Sequence, residues 1–113
     1  MTDTVYPAPT ISRFPVVDVT EKVPLAFDFG PALPAGVVLT GPPQVSVAID
    51  LGADPNPIGT ILSGPTVAGS VVVLGVGNFQ ATTDTDYHYK ITCPTSDPAL
   101  QLALSGLLSV RML

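Results

Sequence analysis

The chain has 113 residues, 46% of them hydrophobic and only 12% charged, with four basic against nine acidic side chains and a formal net charge of −5. Its length suits one domain with one core and leaves no room for a second, and so few basic groups exclude the phosphate neutralisation by which proteins hold DNA or RNA. An average soluble domain is roughly a quarter charged, so much of the surface this sequence makes is expected to be covered by other protein.

The single cysteine, Cys93, excludes an internal disulfide, and the core must hold by packing alone, as suits folding in a reducing cytoplasm. The opening residues MTDTVYPAPT lack the basic region and apolar run of a secretory leader, so cytoplasmic synthesis is expected. No charged residue occurs from Pro55 to Thr83. Pro57, Gly59, Gly64, Pro65, Gly69, Gly75 and Gly77 nevertheless break that stretch, which excludes a membrane-spanning helix.

Thirteen prolines and ten glycines punctuate the chain, no stretch of 11 to 18 residues keeps a helical period without meeting one of them, and the fold is therefore expected to be all-β. In chain order, residues 1–17 come first, with Pro7, Pro9 and Pro15 favouring extended, polyproline-like backbone. They are expected to form an N-terminal arm whose Val5, Tyr6, Ile11, Phe14, Val16 and Val17 dock on a neighbouring subunit. Residues 18–113 are expected to form the folded domain.

In VPLAFDF, Val23, Leu25, Phe27 and Phe29 point one way and Ala26 and Asp28 the other, the alternation of a half-buried strand. Pro24, which lacks an amide donor, marks an edge. After GPALPAG comes a short strand, Val37 to Thr40, then QVSVAID with Val45, Val47 and Ile49 inward. The loop LGADPNPIG separates it from short strands at Thr60 to Ser63 and Thr66 to Ala68, followed by a valine-rich one from Ser70 to Val76. DYHYKITC alternates Tyr87, Tyr89, Ile91 and Cys93 with polar His88, Lys90 and Thr92. The last strand, LQLALSGLLSVRML, is apolar on both faces, with a break at Gly106 that suits a bulge. An edge this apolar invites pairing, so Leu102, Leu104, Leu107 and Leu113 are expected at a subunit interface or under the arm.

Roughly seven to nine short strands at this spacing predict an antiparallel β-sandwich of the immunoglobulin-like kind, with a jelly roll as the alternative. The Tyr-to-Cys strand running into a threonine turn resembles the sixth strand and following hairpin of immunoglobulin-like domains. The partner cysteine and core tryptophan are absent, so the likeness is one of architecture.

Catalytic chemistry has little to stand on. His88 is the only histidine, and its phase puts it on the polar face of a strand rather than in a cleft. Cys93 falls in the inward phase beside Ile91, the place of a buried and inert thiol. Asp50, Asp54, Asp84 and Asp86 raise a calcium site, but they lack calcium-loop spacing and read as turn residues bonding local backbone. The glycines of GVGNFQ are followed by neither lysine nor helix, so that run is not a phosphate loop. No enzyme activity, cofactor or metal is expected.

Taken in order, PLAFDF, QVSVAID, TVAGSVVVLGVG, DYHYKITCPTSD and LLSVRML resemble the succession of segments in small immunoglobulin-like structural proteins of tailed-bacteriophage virions. The resemblance spans most of residues 18–113; where a tryptophan would stand near the early strand, this chain has Phe29. It implies a non-enzymatic virion protein, made in the host cytoplasm, that decorates or cements the capsid or sits at the head-tail region. Its partners would be other copies of itself and neighbouring virion proteins such as capsid or connector, with no nucleic acid and no membrane. The alternative from another class is a surface-displayed carbohydrate- or receptor-binding module of the fibre or adhesin type, acting through His88 and its polar neighbours. A fimbrial-type subunit that shares strands between chains ranks below both, for want of a secretion signal.

Overall fold

The computed structural model describes residues 12–113. Its strands are β1 (Ser12–Arg13), β2 (Val17–Asp18), β3 (Val23–Asp28), β4 (Gln44–Leu51), β5 (Ile61–Ala68), β6 (Val71–Val76), β7 (Thr85–Pro94) and β8 (Gln101–Arg111), with single 3-10 turns at Gly30–Ala32 and Pro57–Thr60. One sheet has the order β1-β8-β7-β4, with β2 also on β8, and the other has the order β3-β6-β5. Every pairing is antiparallel except those of β1 and β2, which run parallel to β8. The two sheets pack face to face as an all-β sandwich.

The alternation of side chains decides which face of each strand meets the core. Along β7, Thr85, Tyr87, Tyr89, Ile91 and Cys93 are fully buried, while Asp86, His88, Lys90 and Thr92 form the outer row. Across from them stand Val110, Leu108, Gly106, Leu104 and Leu102 of β8, pair by pair. The opposite sheet supplies Leu25, Phe27, Val72, Leu74 and Val76, joined by Phe29 and Phe79 from the connections. Pro24 lies on β3, an edge strand of its sheet as its missing donor requires.

Four details differ from the sequence reading. Val37 to Thr40 makes only a bridge, Leu39 to Thr95, because prolines on both sides prevent a ladder. The two short strands expected between Thr60 and Ala68 are one strand, β5, with register shifts around Ser63. The apolar β8 is no edge, since β1 and β2 of the leading segment flank it, which is the second of the two places expected for it and not a subunit interface.

The fourth concerns Gly106, where no bulge occurs: the β7–β8 ladder runs unbroken through the Tyr89–Gly106 pair. The glycine serves close approach instead. A Cβ there would clash with Cε2 of Phe14 and lie 3.1 Å from Cε2 of Phe27, and these two rings meet edge to face with centroids 5.4 Å apart.

Candidate functional site

Among the described residues the large exposed hydrophobics, Val38 apart, are gathered at one end of the sandwich, the end where β7 begins and β8 finishes. Register places Leu51 beside Asp86, Val17 beside Val110 and Ile61 beside Val76 there. Leu51, Ile58, Leu62, Met112 and Leu113 are all exposed at that end, from 41% for Leu62 to 86% for Leu113, and the exposed Val16 directly precedes Val17. Val38 is the one large exposed hydrophobic residue at the other end among the described residues.

Beneath this rim the long connection from β4 to β5 is fastened by buried polar groups. Asp54 accepts from the Tyr87 hydroxyl and from the amides of Asn56 at 2.7 Å and Gln80 at 3.1 Å. Burial, and then the carboxylate beside it, push the Tyr87 phenol well above its ordinary range, so it stays a donor. The Thr60 hydroxyl donates to the Pro57 carbonyl at 2.7 Å, which leaves it to accept from the Tyr89 hydroxyl at 2.7 Å. The Tyr89 phenol is pushed up to about 12, chiefly by burial. Thr85 completes the fastening by accepting from the Ala53 amide at 3.2 Å and donating to the Thr83 carbonyl at 2.9 Å.

The C-terminal end is tied into the same rim. Arg111 donates to Asp86 Oδ1 at 3.0 Å, the Met112 amide donates to Asp84 at 3.2 Å and the Leu113 amide to Asp18 at 3.0 Å. The Asp18 carboxyl is held below its ordinary value, first by the Thr20 hydroxyl and amide and then by the Leu113 amide. Burial acts to raise Asp86, but hydrogen bonds from Arg111 and Ser109 and the charges of Arg111 and Arg13 outweigh it and lower its pKa.

The residues expected at an interface fall in different places. Val5, Tyr6 and Ile11 lie outside the described residues. Phe14 is half-buried against Phe27 of its own chain, whereas Val16 is exposed. Leu102 and Leu104 are half-buried and face the core, Leu107 is buried on the outer row of β8, and the Leu113 side chain is exposed. Phe14, Val16 and Val17 line one wall of an open cleft of about 350 Å³ whose other wall is Val23, Pro24 and Leu25 of β3.

The groups weighed for chemistry are spread apart. Cys93 is buried, and burial pushes its thiol up, away from thiolate reactivity. His88 stands on the outer row between Ala48 and Leu107, its Nε2 buried without a hydrogen-bond partner among the described residues. The two oxygens of Asp54 are spent on Tyr87 and two amides, and no cluster of three or more metal-ligating side chains forms among the described residues. No helix is long and apolar enough to cross a membrane among them. Phe27, Phe29, Phe79, Tyr87 and Tyr89 are buried and Phe14 is half-covered, so among the described residues no ring lies open for stacking on a sugar.

Sequence reasoning missed the Asp54–Tyr87 contact and the exposed Leu51, Ile58 and Leu62. The signal for the first was weak, an Asp-Pro in a turn-rich loop. For the second it was present: leucine and isoleucine inside LGADPNPIG have no strand phase to take them inward. No protein-family model, curated protein or solved structure matches the chain.

Proposed function

We propose that this chain is a non-enzymatic structural subunit of a tailed-bacteriophage particle, one that decorates or cements the capsid or sits at the head-tail region. The observation that carries the reading is the apolar rim of Leu51, Ile58, Leu62, Met112 and Leu113. A free monomer gains nothing from such a rim, while a particle subunit buries it in repeated contacts. Covering about 300 Å² of apolar surface is worth roughly 7 kcal/mol before the costs of association.

The strand order lends support as well. One sheet carries β1, β2, β4, β7 and β8, and the other carries β3, β6 and β5, the division found in immunoglobulin-like sandwiches. Polar chemistry goes into fastening loops rather than into a cleft, as suits a scaffold. The partners are further copies of the chain and neighbouring virion proteins such as capsid or connector, and the place of action is the virion.

Peptide mass spectrometry and immunogold labelling of particles purified from a host that carries the gene test this. The reading expects the chain in every particle at a fixed, multiple copy number. Particles that lack it, with the chain left free in the lysate, overturn the assignment.

A further inference from the structure

Sheet edges are where a β-protein recruits further strands unless it protects them, and among the described residues three of the four edges are protected. The β1–β2 edge is broken by Pro15, β3 carries Pro24, and β5 has Pro65 and two register shifts. β4 differs. It pairs with β7 without interruption from Gln44 to Ile49, and the stretch holds no proline, glycine or charge; the first charge, Asp50, stands at the register shift. Among the described residues its other side takes part in no backbone pairing. Its inward row, Val45, Val47 and Ile49, is only half-buried, and its outward row, Gln44, Ser46 and Ala48, is exposed.

We propose that β4 pairs antiparallel with β4 of a second copy of this chain, joining the two five-stranded sheets of β1, β2, β8, β7 and β4 into one continuous sheet across a two-fold axis. This rests on the assembly reading above and names the contact. A two-fold antiparallel pairing must bring residues of the same phase opposite each other, since only those present their amides and carbonyls to the same side. Centred on Val47, the pairing sets Val47 on Val47 and Val45 on Ile49 along the core row, and Ser46 on Ala48 along the outer row. Apolar meets apolar on the half-buried side, and small meets small on the exposed side. No like charges face each other. Lys90 and Asp50, neither of them ion-paired among the described residues, come to the same outer face on opposite sides of the seam. The exposed Leu51 continues the contact into the apolar rim.

Two double variants test the pairing and its register, because Ser46 and Ala48 are exposed and their replacement leaves the core intact. In S46K/A48K a lysine faces a lysine twice across the seam; in S46K/A48E a lysine faces a glutamate twice. Sedimentation velocity over a concentration series, with circular dichroism to verify the fold, reads the result. The expected outcome is a concentration-dependent dimer of the native chain, weakened about tenfold or more in S46K/A48K and restored in S46K/A48E. Self-association that S46K/A48K leaves unchanged overturns the β4 contact while the assembly reading stands. Equal weakening by both variants overturns the pairing centred on Val47. A native chain that stays monomeric throughout overturns the contact and self-assembly together.

Discussion

The Tyr87 hydroxyl donates to Oδ2 of Asp54, linking the start of β7 to the connection between β4 and β5 across 33 residues of sequence. Asp54 is 9% exposed, so its carboxylate depends on this donor and on two amides in place of water. Tyr87→Phe removes the hydroxyl donor and leaves Oδ2 with the Gln80 amide alone, and losing a hydrogen bond to a buried charged group costs about 1–3 kcal/mol. Chemical denaturation checks this. Hydrogen exchange should show faster opening at Asn56 and Gln80, whose amides share the same carboxylate, than in β8 away from it.

Phe14 and Gly106 form the second dependence. The ring of Phe14 occupies the space over Gly106 that any Cβ would fill, so Gly106→Ala must push the ring off Phe27 and off the sheet. A loss of about 1–3 kcal/mol is expected, as for other overpacked sites. Phe14→Ala loses the same ring contact without the clash. The Gly106→Ala/Phe14→Ala double variant should be little worse than Phe14→Ala alone, a non-additivity that thermal melting of the three variants reads out.

Acid sensitivity follows from the lowered carboxyls of Asp18 and Asp86. A carboxyl whose folded pKa lies below its unfolded value contributes stability that is present in full above the ordinary carboxylate range, and that is lost as pH falls through the folded pKa. Stability should therefore be flat near neutrality and decline below about pH 4. In Asp86→Asn, which keeps the shape but removes the charge facing Arg111, part of that acid-side decline should be gone and neutral-pH stability lower by about 1 kcal/mol. Denaturant midpoints across pH check both.

Cys93 is buried in the sandwich with its thiol pushed up by its surroundings. In the native chain it should resist an aromatic disulfide reagent at neutral pH and react fully once denaturant opens the fold. Prompt stoichiometric reaction of the folded protein would show that the β7–β8 layer opens far more readily than this packing allows.

Period-two alternation made most of the sandwich legible: Leu25 and Phe27, Val45 to Ile49, and above all Tyr87 to Cys93 each face the core as their phase requires. What phase does not carry is long-range geometry. Gly106 looked like a break because glycine interrupts a leucine run, yet its role is set by Phe14, 92 positions earlier in the chain and directly after β1, which runs parallel to β8. Asp54 read as a turn residue for the same reason, since its partner Tyr87 is distant in sequence. Leu51 at the end of β4 and Ile58 in the turn after it were visible as hydrophobic, but only the fold shows that they share one end with Met112 and Leu113.

Static light scattering of the purified chain over its full soluble concentration range bears most directly on whether this exposed apolar rim is built to be covered. The account predicts a weight-average mass that rises above the 11.6 kDa of a single chain as concentration increases, and that falls back toward it when Leu51, Ile58 and Met112 are together replaced by serine. A native chain that holds the single-chain mass at every concentration, folded and soluble, contradicts it.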